Sequence, residues 1–581
     1  MSKVLTAQEP SAKYLVNLQP PLVRHFDLIT NAPGGVARLR ELILTLAVQG
    51  KLVPQDPSDE PASELLKKIR AEKDRLIAEG KIKRDKQMAE IGDDEKPFQL
   101  PVGWSWEPLG SLGNIFSGNS INAAEKEAKF AGVAGLPFIA TKDVGYGLER
   151  LGYENGIRIP LSEHSFKVAH AGAVLMCAEG GSAGKKCGLV DQDICFGNKL
   201  FANEPYAGIS SKFILFVYLA PYFFESFKSS MTGIIGGISL AKFLELPIPL
   251  PSLAEQSRIV RRVEELMQLC DALEASGQIE AQQHAQLVNT LLDTLIQSET
   301  PEALADNWQR IATHFDLLLD RPEAVDALEQ TILQLAVRGL LVPQDPTDEP
   351  ASVLLQKIRT EKDHLIVQGK IKRDQSLPPI TDEEKPFELP QGWEWARLEQ
   401  ASLTIIDCPH STPKFVEHGR LCLDTNSFKQ GKLLPHKLRY VDDDTFSDRN
   451  ARLVPEPGDL VFAREGSVGE SVLIPDGVEA CLGQRVMLFR FSKQVSKELL
   501  QQTISSPSFL KALLALHKGI GAQHVNVGDM RLAPVPMPPF AEQLRIVIRL
   551  NELRSFCADL RQCLNAAQEV QSQLADALVT G

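Results

Sequence analysis

The sequence predicts an α+β chain built twice over. It holds two mixed α/β domains of unlike sequence, separated by long helices forming an antiparallel coiled-coil rod, with an internal pseudo-twofold repeat. Three observations predict it. Residues 50–106 align without a gap with residues 339–395, and 39 of those 57 positions are identical. "PIPLPSLAEQSRIV" (Pro247–Val260) is answered by "PVPMPPFAEQLRIV" (Pro534–Val547), while 107–246 and 396–533, between these borders, are close in length and very different in sequence. Each closing motif then leads into a long run of apolar residues at alternating spacings of three and four, which is a coiled-coil seam. A period this long is a duplicated domain pair, because solenoid repeats are far shorter. A constant frame around differing inserts suggests one geometric task performed on two different ligands.

The elements follow in chain order. Met1–Leu28 mixes Lys3, Glu9 and Lys13 with several prolines and reads as no signal peptide. "VARLRELILTLAVQG" places Leu39, Leu42, Ile43, Leu46 and Ala47 on one helical face and ends at Gly50 as a C′ residue. "EPASELLKKIRAEKDRLIAEG" is a second helix, with Pro61 near its first turn and Gly80 at its stop, and Glu349–Gly369 repeats it. "PQDPSDEP" between the two reads as a Pro-braced turn that delivers an N-cap.

The inserts read as mixed α/β. Strands are expected at Leu136–Val144, Ala171–Cys177, Arg420–Thr425, Gly458–Arg464 and Arg485–Phe491, and helices around Ser211–Ser229 and Ser496–His517. In the last helix Ile546, Leu550, Leu553, Cys557, Leu560, Leu564, Ala567, Leu574 and Leu578 form the seam, with Gln571 in its one polar slot. Its counterpart runs through Ile259, Val263, Leu266, Cys270 and Leu273, weakens at Gly277, Glu280 and His284, and resumes at Leu287 and Leu291. At 1.5 Å per residue each helix is about 60 Å long. His284 reads as a polar residue tuning the seam rather than as a ligand.

The chain has 581 residues, 43% hydrophobic and 24% charged, which suits several globular domains. Its most apolar run, Phe213–Ala220, is cut by Pro221 and is too short to cross a bilayer. A soluble cytoplasmic protein with no membrane partner is the expectation. Nine cysteines are scattered without a Cys-x-x-Cys pair, so buried reduced thiols are expected rather than disulfides or a zinc site. The net charge of −13 argues at first sight against nucleic acid, yet the two inserts are close to neutral and the rest of the chain carries the acid. Local patches decide such contacts, so charge permits a DNA partner without indicating one.

No catalytic constellation emerges. "AEGGSAGKK" (Ala178–Lys186) lacks the spacing of a P-loop and has no Ser or Thr after its lysine. It shares with "REGSVGE" (Arg464–Glu470) a strand, then Glu-Gly, then Ser-x-Gly. That is either a tight turn or a loop approaching a polyanion. "MPPF" (Met537–Phe540) is similar to the Pro-Pro-aromatic motif of adenine methyltransferases, but Met537 cannot hold a target amine, and it reads as a strand-to-helix joint.

Taken together, Gly-Trp-x-Trp-x-x-Leu opening each insert (Gly103–Leu109, Gly392–Leu398), "DCPHSTP" (Asp407–Pro413), "GDLVFAREGSVG" (Gly458–Gly469) and the Glu-Gln-x-Arg-Ile-Val closures resemble the specificity subunit of type I restriction-modification enzymes. The linking "LVPQDPxDEPAS…GKIKRD" resembles that family's longer-chain branch. One departure is that the first insert has "FSGNS" (Phe116–Ser120) where the second has "DCPHSTP".

The resemblance implies a non-catalytic, cofactor-free chain that reads a split, bipartite site on double-stranded DNA. It also implies partners: two modification subunits, which bind S-adenosylmethionine and methylate adenine, and restriction subunits, which use ATP and Mg. The implied layout is an N-terminal helical region (1–100), a target-recognition domain (101–250), a central long helix (251–298), a repeated helical region (299–388), a second target-recognition domain (389–537) and a terminal long helix (538–581). A rod carrying two such readers suits half-sites about one turn of duplex apart, roughly 34 Å.

Base edges are read by side chains with donor or acceptor groups, and lysine or arginine on phosphates supplies position. The candidates are Ser117, Asn119, Ser120, Thr141, Lys142, Ser182, Lys185, Lys186, Asn198 and Lys199 in the first insert. In the second they are His410, Ser411, Thr412, Lys414, Asn426, Arg464, Ser467, Gln484 and Arg485. Lys142 and Arg464 are equally suited to surface ion pairs. Two other readings stand beside this one: a tandem protein-interaction scaffold without DNA specificity, and a self-sufficient methyltransferase or nuclease, which the missing motifs disfavour.

Overall fold

The computed structural model describes residues 26–82, 88–232, 236–298, 300–373, 376–515 and 524–580. The expected absence of a signal peptide concerns residues almost wholly outside that set, as are Lys83–Asp85 and Asp374 of the two "GKIKRD" runs. The chain divides into two compact units: residues 1–280 with 568–581, and residues 281–567.

In the first unit, α1 (Gly35–Val48) buries Leu39, Leu42, Ile43, Leu44, Ala47 and Val48, and Leu46 packs at the edge of the same core. Gly50 ends it with φ +68°, and a Cβ there would meet the Pro101 ring at 2.4 Å. Gly339, in the repeat, has φ +74° and meets Pro390 at 2.6 Å. Only glycine satisfies both the left-handed backbone and that approach.

The second helix, α2 (Ala62–Ala78), corrects the sequence reading of its start. Its N-cap is Pro61, which gives no side-chain cap; the Ala62 N–H instead donates to the Gly103 carbonyl at 2.9 Å. The acids of "PQDPSDEP" have other work. Asp56 closes a turn onto Ser58, and Asp59 accepts both Nη atoms of Arg258, at 3.1 and 2.6 Å.

Strand β1 (Ser105–Pro108) opens the insert. Strands β2 (Gly113–Ser117), β3 (Leu136–Ile139), β4 (Arg158–Ile159), β5 (Val168–Ala169), β6 (Val174–Cys177), β7 (Cys187–Leu189), β8 (Ile194–Phe196) and β9 (Leu200–Pro205) follow. They form two four-stranded sheets, ordered β2-β9-β6-β7 and β4-β3-β8-β5. The long expected helix is two, α3 (Ser211–Leu219) and α4 (Pro221–Ser229), because the residue before Pro221 is held extended. Strand β10 (Pro247–Leu250) pairs antiparallel with β1, so a two-stranded ribbon closes the insert where the repeated sequence resumes.

The first long helix, α5 (Leu253–Ile296), then begins in a polar socket. Buried Glu255 accepts from Trp104 Nε1 at 2.7 Å and from Gln55 at 2.5 Å, and burial outweighs those bonds in raising its carboxyl above the usual range. Arg258 adds the bidentate pair to Asp59. Arg40 binds Asp271 and Glu274 further along α5, and Arg38 pairs with Asp576.

The second unit repeats this frame. Its α6 (Pro322–Val337) and α7 (Ala351–Val367) match α1 and α2. Strand β11 (Glu394–Arg397) opens the second insert, and β12 (Thr404–Asp407), β13 (Phe415–Val416), β14 (Arg420–Leu423), β15 (Phe428–Lys429), β16 (Lys432–Leu433), β17 (Arg439–Val441), β18 (Leu460–Ala463), β19 (Ser471–Leu473), β20 (Ala480–Leu482) and β21 (Val486–Arg490) build sheets ordered β12-β21-β18-β19 and β13-β17-β14-β20 with a β15-β16 hairpin. Helices α8 (Lys497–Ile504) and α9 (Pro507–Ala515) follow, where one helix reaching His517 was expected; Leu516 and His517 lie outside the described residues.

Strand β22 (Pro534–Met537) pairs with β11, and the second long helix, α10 (Phe540–Thr580), starts in the same socket. Glu542 accepts from Trp393 at 3.0 Å and from Gln344 at 3.0 Å, and Arg545 holds Asp348. The repeated "PQDPxDEP" is therefore the seat of each long helix. Each unit also contains the start of one long helix and the end of the other.

The seam drifts from its expected register at the far ends. Leu574 is 45% exposed and Ala575 is buried, and Leu287 is 52% exposed while Val288 is buried. A straight helix turns about 20° per heptad away from a strict seven-residue repeat, so the buried face moves on by one residue. His284 turns its Nε2 to the Leu317 carbonyl, 3.1 Å away, and to Asp320, 3.3 Å away. Eight of the nine cysteines are buried and free, as expected; Cys563, on the outward face of α10, is exposed. Among the described residues no helix is long and apolar enough to cross a membrane.

One difference between the copies gives a pH dependence. Arg397, where the first copy has Pro108, has a 3% exposed side chain and clasps Glu384 with Nη1–Oε1 2.5 Å and Nη2–Oε2 2.9 Å. That guanidinium holds the Glu384 carboxyl down at about 2. A lowered pKa adds stability above the unfolded value near 4.5, which is lost as pH falls from there towards 2. Glu384→Gln is expected to flatten the acid limb of the melting-temperature profile between pH 4.5 and 2.5. At neutral pH it should cost about 1 kcal/mol, since the carboxylate is partly screened by solvent.

Candidate nucleic-acid interface

All ten first-domain candidates lie at one end of the two sheets. Ser117 ends β2, Ile139 ends β3 just before Thr141 and Lys142, and Cys177 ends β6 just before the 178–186 loop. Asn198 and Lys199 sit between the end of β8 and the start of β9. Because β9 runs antiparallel to β2 and β6, its start lies beside their ends; β3 and β8 are parallel, so their ends coincide. Backbone bonds stitch these tips together: Asn119 N–H to Phe196 O at 2.9 Å, Asn198 N–H to Asn119 O at 3.1 Å, Gly197 N–H to Ile139 O at 2.9 Å and Ala178 N–H to Lys199 O at 2.9 Å. Lys186 Nζ donates to Thr141 O at 3.3 Å.

Within that end the side chains differ. Ser120, Lys142, Lys185, Asn198 and Lys199 are exposed, and Ser117, Asn119, Thr141, Ser182 and Lys186 are half-buried. Lys142 makes no ion pair among the described residues. Asn119 faces inward: its Oδ1 accepts from the Lys167 backbone N–H at 2.8 Å and its Nδ2 donates to Ser165 O at 3.1 Å. Lys185 and Lys186 lie over the rings of Phe224 and Tyr146. Exposed Lys167, which sequence reasoning missed, donates to Ser117 O at 2.7 Å. Nothing in the sequence signals it, because it lies 50 residues from Ser117.

The second domain gathers its nine candidates at the corresponding end. Asp407 ends β12 and leads into His410, Ser411, Thr412 and Lys414; Ala463 ends β18 before Arg464 and Ser467; Gln484 and Arg485 precede β21. The Arg464 N–H donates to Arg485 O at 2.9 Å, Gln484 Nε2 donates to His410 O at 2.6 Å, and Ser467 Oγ donates to Thr425 O beside Asn426 at 3.3 Å. Ser411, Thr412, Lys414, Asn426, Ser467, Arg485 and His410 are exposed.

Arg464 takes the ion-pair role: its guanidinium, 12% exposed, lies 3.3 Å from Asp407 and 3.2 Å from His410 Nδ1. Arg485 adopts φ +64°, a left-handed backbone at a loop tip that costs a non-glycine residue of order 1 kcal/mol. Two residues that hold this loop were missed by sequence reasoning. Asp407 lies inside the "DCPHSTP" motif, so its signal was present. Arg449, 7% exposed, donates to the carbonyls of Leu482, Pro409 and Ser411 at 2.5, 3.2 and 3.1 Å, and nothing local in the sequence marks it.

The two Ser-x-Gly loops are built alike. Gly180 and Gly184 have φ +88° and +71°, Gly466 and Gly469 have +80° and +97°, and each loop bridges a neighbouring segment, Glu179 to Gly237 and Glu465 to His524. Each domain thus presents hydroxyls, amides and cations on glycine-hinged tips fixed by rigid strands. That arrangement can offer donors and acceptors to base edges and cations to phosphates. Among the described residues no group of three or more His, Cys, Asp or Glu side chains is placed to hold a metal ion.

Comparison with known proteins follows the duplicated pattern. The type I restriction modification DNA specificity domain matches residues 101–283 and 435–569. The type I restriction enzyme EcoAI specificity subunit of Escherichia coli is 37% identical over 553 residues, covering 94% of this chain and 93% of that one. The EcoEI specificity subunit of Escherichia coli is 36% identical over 564 residues with the same coverages. A solved structure described as the basis of complex assembly and conformational transition of the type I R-M system aligns with 83% of this chain and 98% of its own, at 16% identity and a TM-score of 0.44.

Proposed function

The chain belongs to the family of type I restriction-modification DNA specificity subunits, and from that premise we propose that its two mixed domains each read one half of a split DNA sequence through the loop tips described above. Within such a complex it is the DNA-sequence-recognition subunit and is not itself an enzyme; the catalytic work belongs to other subunits. We read residues 101–250 and 389–537 as the two target-recognition domains, and the helical segments 1–100, 251–298, 299–388 and 538–581 as the frame. In this reading the frame seats two modification subunits, which bring S-adenosylmethionine, and restriction subunits bring ATP and Mg.

The observation that carries the reading is the pairing of an invariant socket with variable tips. Gln55, Asp59, Trp104, Glu255 and Arg258 recur as Gln344, Asp348, Trp393, Glu542 and Arg545 with the same hydrogen bonds. The loop tips share a position in the fold and almost no side chains. A common seat with unlike reading surfaces is what two half-sites of different sequence require.

Phosphate neutralisation gives a direct test. Log affinity of the assembled complex for its site should fall linearly with log salt, and each lysine on a phosphate adds about 0.9 to the slope. Lys142→Ala, Lys185→Ala and Lys199→Ala in one variant should weaken binding across all sequences and reduce the slope by about two to three. A slope and specificity both unchanged in this variant would remove the first-domain tips from the interface.

A further inference from the structure

The duplicated frame allows one place to be compared in its two copies. In the first unit the rings of Phe98, Trp106 and Tyr222 pack edge to face, with centroids 4.9, 5.2 and 6.1 Å apart. Tyr222 is the second residue of α4, and its hydroxyl is buried without a hydrogen-bond partner. Burial alone pushes that phenol well above its usual pKa. The ring therefore fills a hole at the cost of an unsatisfied polar atom.

In the second unit Phe387 and Trp395 face each other in the same way, at 5.1 Å. The third ring is missing, because the second residue of α9 is Ser508. The equivalence of the helices is fixed by their neighbours. The backbone N–H groups of Ser210 and Ser496, which cap α3 and α8, donate to Gln256 and Gln543 of the two long helices at 2.9 and 2.8 Å. Both following helices begin on a proline, Pro221 and Pro507. Where Tyr222 would stand there is a cavity of about 570 Å³, walled by Phe387, Trp395, Phe509 and Pro536, with Arg338 over the Phe387 ring at 4.9 Å.

The polar lining has changed with the volume. Val217, Ala220 and Tyr222 of the first copy are Thr503, Ser506 and Ser508 in the second, and these three hydroxyl residues line the cavity together with Glu383 and Asp529. An ordinary core position that loses a ring collapses or gains a larger apolar neighbour. Here Ser508 stands exposed at the mouth, Thr503 and Ser506 are no smaller than Val217 and Ala220 and add hydroxyls, and the remaining space falls in the range of small-molecule sites, roughly 300–1,000 Å³.

We propose that this cavity is a binding site for a small aromatic molecule of the phenol class. Its ring takes the place against Phe387 and Trp395 that Tyr222 takes in the first unit, and its hydroxyl meets the polar wall that the first copy lacks. The walls come from the end of α6, the Glu383–Phe387 segment, β11 and α9, so the ligand ties the helical frame to the reading domain within one unit. The site is independent of the DNA assignment.

The probe is p-cresol, the tyrosine side chain free in solution, titrated into the full-length chain by calorimetry and thermal melting. One saturable site per chain is expected, with a melting temperature that climbs with ligand concentration. Ser508→Tyr and, separately, Ser508→Phe should abolish that site and raise the melting temperature without ligand. Tyr222→Ser should create a second site. 4-Methylcyclohexanol, of similar size but without a ring, should bind at least tenfold more weakly.

Absence of saturable binding to the natural chain would overturn the proposal, as would unchanged binding in both folded Ser508 variants. Equal binding of 4-methylcyclohexanol would refute the aromatic class. If p-cresol binds the free chain but is excluded from the assembled complex, the occupant is a partner's side chain and the small-ligand proposal fails.

Discussion

Exchanging residues 107–246 for the corresponding insert of another specificity subunit is expected to change one half of the recognised DNA sequence completely and leave the other half as it was. The expectation follows from how the cores are divided. The two inserts share no apolar cluster: the first packs Val174–Phe227 onto the frame helices of its own unit and Ile139–Ala202 within itself, and the second does the same with Ile405–Phe489 and Val461–Leu488. The splice falls within β1 and just before β10, where Trp106 lies opposite Pro249 and Glu107 opposite Ile248 in a backbone ladder that does not depend on particular side chains. The donor must also present an apolar helix to α1, because Phe213 and Phe216 share the core of Leu39 and Ile43. Each base-edge contact contributes about 1–3 kcal/mol of discrimination, so three exchanged bases shift preference by roughly 3–9 kcal/mol, far beyond a graded change. Sequencing the methylated adenines of cells carrying the chimaera reads the outcome. Methylation of an unaltered site would sink the assignment, and so would loss of both half-sites in a chimaera that still folds and assembles.

How much of this was legible in the sequence depends on the range of the interaction. α1, α2 and α7 were readable because their apolar spacing and terminal glycines are local signals. Strands such as Leu136–Ile139 and Leu460–Ala463 were also found, shorter than the expected stretches; the first stops where Thr141–Asp143 turn into a 3-10 segment at the tip. The socket was not legible as a socket. Gln55 meets Glu255 across 200 residues, and its "PQDP" surroundings look like a turn from within. The loops that carry the candidate residues were legible where glycine and serine mark tight turns at strand ends. It was missed where one side chain reaches across the domain, as Lys167 and Arg449 do. The drift from Leu574 to Ala575 is a third kind of failure, since a strict heptad cannot be told from a 3.6-residue period over a short stretch.

Arg449→Met is expected to lower affinity for the second half-site by more than tenfold while the first half-site keeps its specificity. Arg449 ends the helix Asp443–Arg449 and sits buried behind the "DCPHSTP" loop, with its three donors on the carbonyls of Leu482, Pro409 and Ser411. Methionine preserves much of the stem's packing and removes every donor, so two loop carbonyls and one strand carbonyl lose their partner. Hydrogen bonds to a charged group contribute about 1.5–3 kcal/mol each, but these three share one side chain and will not add, so a local loss of about 2–4 kcal/mol is expected. The loop retains Gln484 on His410 O and the Arg464 contact to the His410 ring, which by themselves leave Ser411 and Thr412 unsupported. Amide exchange over 408–414 should quicken selectively.

The salt slope separates this positioning role from a phosphate contact: it should stay constant in Arg449→Met, whereas loss of a phosphate-bound cation lowers it by about one. Arg449→Lys should not rescue, because one ammonium cannot span three carbonyls that a planar fork reaches together. Unchanged second-half specificity in a folded Arg449→Met protein would mean that the loop is held by its own backbone, and Arg449 would then be no more than a buried side chain satisfied by chance acceptors.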